Sequence, residues 1–204
     1  MHYSISLQTT EFDFLSITPR KKLLKHSLLR IEDGLALVRL GKNEFVVEPG
    51  KVLWLPFDCL TSITYLPQTK ASIVEVSSRV AEPMPRQAGF VKLNELASAL
   101  LNRLIAINAP HEAKLDLYRV LLAELTTLQP SLKHSGLDSA IAEWKPNHSS
   151  ELPKELQVAL TVREARRRLL SGGKEQTVVD ELFAGDQASF TLMLESICGQ
   201  SNFK

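Results

Sequence analysis

KHSLLRIEDGLALVRLGKNEFVVEPGKVLWLP, residues 25–56, is the stretch whose reading decides the fold. It divides into four apolar runs, KHSLLRI (25–31), LALVRL (35–40), NEFVVE (43–48) and KVLWLP (51–56), rich in Val, Ile, Leu and Phe. Between them sit Glu32-Asp33-Gly34, Gly41-Lys42-Asn43 and Pro49-Gly50. Each suits a tight reversal, because Gly accepts positive φ and Pro presets φ near −65°. Strands joined by such short turns pair antiparallel, which predicts a sandwich or a barrel. The pattern continues through TSITYL (61–66), Pro67-Gln68 and ASIVEVSS (71–78), giving six strands in the first ninety residues.

Beyond the Pro-rich stretch Glu82-Pro83-Met84-Pro85-Arg86 the apolar period lengthens to that of a helix. Leu93, Leu96, Leu100 and Leu104 share a face within residues 91–107, and Asn108-Ala109-Pro110 ends the run. Residues 111–128 place Leu115, Tyr118, Leu122 and Leu125 on one face, with Leu117, Leu121 and Leu128 beside them. A stripe that wide can bury two faces, one on the β-domain and one on a second subunit. Leu117, Leu121 and Leu128 are the dimerisation candidates; an αα-hairpin satisfied wholly within the monomer is the other reading.

Residues 130–152 shift to Pro, Ser, His, Lys and Gly and read as a linker with one short helix, GLDSAIAEW (136–144). A basic helix follows over 153–170 and stops at Ser171-Gly172-Gly173. Two short helices close the chain: VVDELFA (178–184), capped by Thr177, and QASFTLMLESIC (187–198), capped by Asp186 and ended by Gly199. The class is therefore α+β, divided as a β-domain (1–90), a helical hairpin (91–129), a linker (130–152) and a helical region (153–204). No internal repeat is present.

The chain has 204 residues, 44% of them hydrophobic, with 24 basic against 23 acidic groups and two Cys. This supports a real core and excludes disorder, collagen and a disulfide scaffold. The net charge of +1 lacks the signature of a stand-alone nucleic-acid binder. Cys59 and Cys198, in apolar settings, read as reduced thiols. With no leader-like N-terminus and no long apolar run, a cytoplasmic protein without membrane contact is expected.

Catalytic motifs are missing: there is no Gly-rich phosphate loop, GxSxG, HExxH or CxxC. The five His, at 2, 26, 111, 134 and 148, never fall at ligand spacing, so neither metal nor cofactor is expected, and no enzyme activity. Three residues are candidates for a small-molecule site. His26, on a strand, could line a barrel interior or satisfy the core. Trp54 shares a face with Val52 and Pro56 and is either core or pocket wall. Arg39, between Val38 and Leu40, must reach solvent or meet an anion. Arg163, Arg166 and Arg167 can project from one side of the basic helix as phosphate contacts, or form a solvated face paired with Glu164.

The order of these elements resembles that of AraC/XylS-type transcription regulators. The resemblance implies a cupin-like jelly-roll barrel that binds an effector, a dimerising αα-hairpin and a helix-turn-helix that binds DNA. Residues 49–56, PGKVLWLP, are similar to the Pro-Gly…Pro stretch of the family's cupin domain. Ser189-Phe190-x-x-Met193-Leu194, followed by Gly199-Gln200-Ser201-x-Phe203, is similar to the recognition helix and the Gly-x-Ser-x-Phe beyond it. Ser189 and Thr191 are thereby DNA-contact candidates.

Three departures qualify the likeness. Asp58-Cys59-Leu60 stands where cupin metal ligands would fall, which favours an organic effector over a metal enzyme. Lys204 is reached where the family continues into a second helix-turn-helix, so a partial reading unit is expected. Finally, Glu175 to Phe203 contains no Lys or Arg but five acidic residues, and such a helix should repel DNA. The expected function is an AraC-type regulator or its remnant, homodimeric and effector-sensing, with autonomous DNA binding disfavoured. A non-DNA-binding protein that modulates a full-length regulator by heterodimerisation is the alternative, and a small cupin enzyme a third.

Overall fold

The computed structural model describes residues 3–200. All six expected strands form: β4 (Lys25–Asp33), β5 (Ala36–Leu40), β6 (Asn43–Val47), β7 (Val52–Leu55), β8 (Leu60–Tyr65) and β9 (Thr69–Ser77). Four more join them, β1 (Ile5–Phe12), β2 (Ser16–Ile17), β3 (Lys21–Lys22) and β10 (Gly89–Val91). One sheet runs β1-β9-β4-β7-β10 and the other β2-β8-β5-β6, with β3 also on β8. Every pairing is antiparallel. The expected closed barrel is replaced by two sheets face to face, since among the described residues no strand pair joins them.

The chain passes from β4 in the first sheet to β5 in the second through Gly34, whose φ is +77°. A Cβ there would stand 2.7 Å from the Gln68 carbonyl oxygen, so only glycine fits this corner. Leu29, Ile31, Leu53 and Leu55 of the first sheet and Val38, Phe45, Val47 and Tyr65 of the second form one buried cluster between the sheets.

Both outer faces are covered as well. On the first sheet, Leu28, Val52, Trp54 and Val74 pack beneath α1 (Glu95–Ala106) and α2 (Leu115–Leu125), which is preceded by a 3-10 turn over His111–Lys114. Asn94 caps α1 through the Ala97 N–H. On the second sheet, Leu37, Val46 and Leu66 meet α3 (Gly136–Glu143) and the first half of α4 (Lys154–Leu170). The segment expected as a linker is thus a docked element. Its Asp138 is buried, accepting from the Ser135 N–H at 2.6 Å and from the Val46 N–H of edge strand β6 at 2.7 Å. A carboxylate here satisfies a helix N-terminus and an otherwise open strand edge together.

The second half of α4 packs on α5 (Glu175–Leu182) and α6 (Gln187–Cys198) through Val162, Ala165, Val178, Val179, Leu182, Phe190 and Leu194. Asp186 caps α6 and Gly199, with φ of +67°, ends it, as the sequence predicts. α5 begins at Glu175 rather than after Thr177. No described helix is long and apolar enough to cross a membrane.

Candidate functional site

α4 joins the two halves of the molecule. Leu156, Ala159 and Leu160 of its first half lie on the second sheet, and Val162 and Ala165 lie on α5 and α6. At the changeover, Arg163 reaches back to Glu44 on β6. Its Nη1 donates to both carboxylate oxygens at 2.9 and 3.0 Å, and its Nη2 to one of them at 3.0 Å. Both side chains are only partly exposed, 25% and 22%, so the pair is stronger than an open surface bridge.

A groove of ≈ 920 Å³ opens along this contact, walled by β5, β6, β8, α3 and the C-terminal half of α4. Arg39, directly opposite Glu44 in the β5–β6 register and Ser62 in the β5–β8 register, lines it with Lys42. Arg39 is exposed and has no side-chain hydrogen bond or ion pair among the described residues. Ser62, Thr64 and Ser139 supply hydroxyls, while Ile17, Ile141 and Leu170 supply apolar wall. Within the same groove Arg167 donates to both oxygens of Glu164 at 2.7 and 2.6 Å. Arg168 bridges Glu164 and Glu181 at 2.8 and 2.5 Å. Hydrogen bonds from Arg167, and then from Arg168, hold the Glu164 carboxyl down at about 2. Arg166 also lines the groove, and its charge opposes the burial that pushes the Cys198 thiol up to about 11.

The groove therefore unites residues that the sequence assigns to different tasks. Arg39, expected to face solvent or an anion, stands beside Arg163, Arg166 and Arg167, expected to face DNA. Arg163 and Arg167 are instead committed to Glu44 and Glu164. The other DNA candidates are bonded within their own helix: the Ser189 hydroxyl donates to the cap Asp186 at 2.6 Å and the Thr191 hydroxyl to the Gln187 carbonyl at 3.0 Å. The exposed face of α6 carries Gln187, Ala188, Leu192, Glu195 and Ser196, with no cation. Ser201 and Phe203 of the resembling motif lie outside the described residues, as does His2.

Two ligand candidates take the packed alternative of their readings. Trp54 is 0% exposed but belongs to the outer face of its sheet, under α1 and α2, with its indole N–H donating to the Pro85 carbonyl at 2.9 Å. His26 is on the same outer side, stacked on Trp54 at 5.5 Å between centroids. Its Nδ1 accepts the Phe57 N–H at 3.0 Å, and burial lowers its pKa. Neither enters the inter-sheet space. Of the dimerisation candidates, Leu121 is wholly buried against the first sheet, with Leu117 and Leu128 partly buried on the same cluster, as in the reading of a hairpin packed within the monomer. The outward face of the hairpin shows Leu96, Leu115 and Val120 instead.

Sequence reasoning passes over Glu44 and Asp138. Alternation puts Glu44 on the outer side with Val46, yet nothing local signals a partner 119 residues away. For Asp138 the signal is present in Ser135-x-x-Asp138, a capping box.

No protein-family model and no curated protein sequence matches the chain. Among solved structures it is similar to a cupin superfamily protein from Desulfitobacterium hafniense, at 14% identity and TM-score 0.36 over 38% of this chain and 72% of that one. It is also similar to a cupin-2 domain containing protein from Shewanella frigidimarina, at 8% identity and TM-score 0.32 over 37% and 74%. An apo ToxT variant from Vibrio cholerae aligns over 98% of this chain and 95% of its own, at 8% identity and TM-score 0.46.

Proposed function

We propose that the chain is an effector-responsive regulator of AraC type, or a remnant of one, whose effector binds the groove between the second sheet and α4. One observation carries this reading: Arg163 clamps Glu44 across a groove in which Arg39 has no partner among the described residues, on the helix that seats α5 and α6. A small organic acid that engages Arg39 and competes for Arg163 would move the seat of α4, and with it the helical end. A ligand shifts an equilibrium only by its differential affinity for two states, and a broken or intact clamp supplies two states. Thermal shift against a panel of small carboxylic acids tests this. A stabilising acid whose effect is lost in Arg39→Gln supports it; stabilisation that persists in that variant, or none from any acid, refutes it.

The heterodimerising modulator is the second reading, favoured by the surface of α6. Leu192, 68% exposed, and Glu195 suit contact with a protein better than with a phosphate backbone. Homodimerisation through the hairpin would use Leu96, Leu115 and Val120, the apolar residues facing outward. Catalysis is not part of either reading.

A further inference from the structure

A second cleft, of ≈ 680 Å³, lies on the other side of α3, bounded by β4, β7, β10, α1 and the segment leading into α3. Four cations line it, Arg30, Lys51, Lys92 and Lys133, against two carboxylates, Glu32 and Asp138. Both carboxylates are already committed. Glu32 receives the Arg30 guanidinium at 2.7 and 2.8 Å, and Asp138 receives the N–H groups of Ser135 and Val46. Asn102 gives its side-chain oxygen to Arg30 at 2.8 Å. Lys51 pairs with Glu48 and stands 5.7 Å over the Phe90 ring.

Donors without acceptors remain. Among the described residues the ammonium groups of Lys92 and Lys133, the Ser98 hydroxyl and the Asn102 amide nitrogen make no hydrogen bond, although all four residues line this one cleft. Every carboxylate and amide oxygen of the lining is used, while two of its cations, Lys92 and Lys133, and two neutral donors stay open among the described residues. A cleft of that composition selects a ligand that only accepts, and that is charged.

We infer that this cleft binds a small organic phosphate, its phosphoryl group held by Lys92 and Lys133 and its organic part against Val52, Phe90, Val91 and Leu93. Phosphate is favoured over carboxylate because the planar Arg30 fork, the natural partner of a carboxylate, is closed by Glu32 and Asn102. What remains are compact ammonium charges, which suit a tetrahedral dianion. The volume falls within the range of small-molecule sites, and the lining mixes apolar wall with a few polar anchors. Asp138 lines both clefts, so an occupant here sits against the N-terminus of the helix that walls the proposed effector groove.

The test is calorimetric titration of the full chain with phenyl phosphate, in phosphate-free buffer of low ionic strength, with benzoate as comparator. Phenyl phosphate is expected to bind and benzoate to bind more weakly. Loss of a hydrogen bond to a charged group predicts that Lys92→Gln and Lys133→Gln each weaken binding by about tenfold or more. Both lysines are exposed and without partners among the described residues, so unchanged thermal melting of the variants verifies that the fold is intact. Arg39→Gln, in the other groove, leaves this binding unchanged, which separates failure here from failure of the proposed effector site. The inference is overturned by absence of binding at millimolar probe, by equal affinity in the double variant, or by benzoate binding as tightly in the Arg39→Gln background, where the other groove is disabled.

Discussion

Arg163 on α4 and Glu44 on β6, 119 residues apart in sequence, meet with both terminal guanidinium nitrogens on the carboxylate at 2.9–3.0 Å. The contact ties the helical end to the sandwich, and it sits in the groove that also exposes Arg39.

Removing either partner leaves a partly buried charge unsatisfied, so Arg163→Ala and Glu44→Ala should each destabilise by about 1–3 kcal/mol. The double variant should cost less than the two single effects together, with a coupling of about 1 kcal/mol. Denaturant unfolding of the four proteins measures both quantities. Additive losses would show that the pair does not hold α4.

Asp138 satisfies two backbone N–H groups at once, one on its own helix and one on β6. Asp138→Ala should therefore lower stability by roughly 2–4 kcal/mol, two unsatisfied donors' worth, with Asp138→Asn between the variant and the parent. Chemical denaturation checks the ranking. Hydrogen exchange at the Val46 amide should rise in the alanine variant before global unfolding does.

His26 carries a pH prediction. Burial lowers its pKa from the ordinary 6.5, and its Nδ1 accepts the Phe57 N–H, so the folded state favours the neutral ring. Its contribution is fully present above pH 6.5 and is lost as pH falls through the lower folded value. Thermal midpoints measured downward from neutrality should decline more steeply in the parent than in His26→Gln. Parallel curves would exclude His26 as a source of the decline.

Leu121 lies wholly within the cluster beneath the hairpin. Leu121→Ala should cost about 2–5 kcal/mol of folding stability without altering the oligomeric state. Light scattering alongside thermal melting distinguishes the outcomes, because an interface leucine would instead change mass at constant monomer stability.

The six central strands were legible because Gly34, Gly41, Pro49-Gly50 and Pro67 punctuate them. β1 was not, since Gln8, Thr9, Thr10 and Glu11 give an edge strand little apolar signal. Alternation correctly set Val52 and Trp54 apart from Leu53 and Leu55, but it does not say which face is inside. With α1 and α2 covering the first sheet, both of its faces are equally buried, and Trp54 takes the outer one. The arginines were visible as a cluster and their destination was not, because Glu44 and Arg39 reach them only through tertiary packing. The lack of cations in α5 and α6 could be read from residues 175–203 directly, and the exposed face of α6 accordingly carries Glu195 and no cation.

On the proposed reading the cations of the helical end serve the groove and not nucleic acid. Fluorescence anisotropy of labelled duplex DNA, titrated with the full chain at low and then physiological salt, tests it most directly. No sequence-specific binding is expected at either salt. Specific binding that weakens steeply with salt, the mark of phosphate neutralisation, would contradict it.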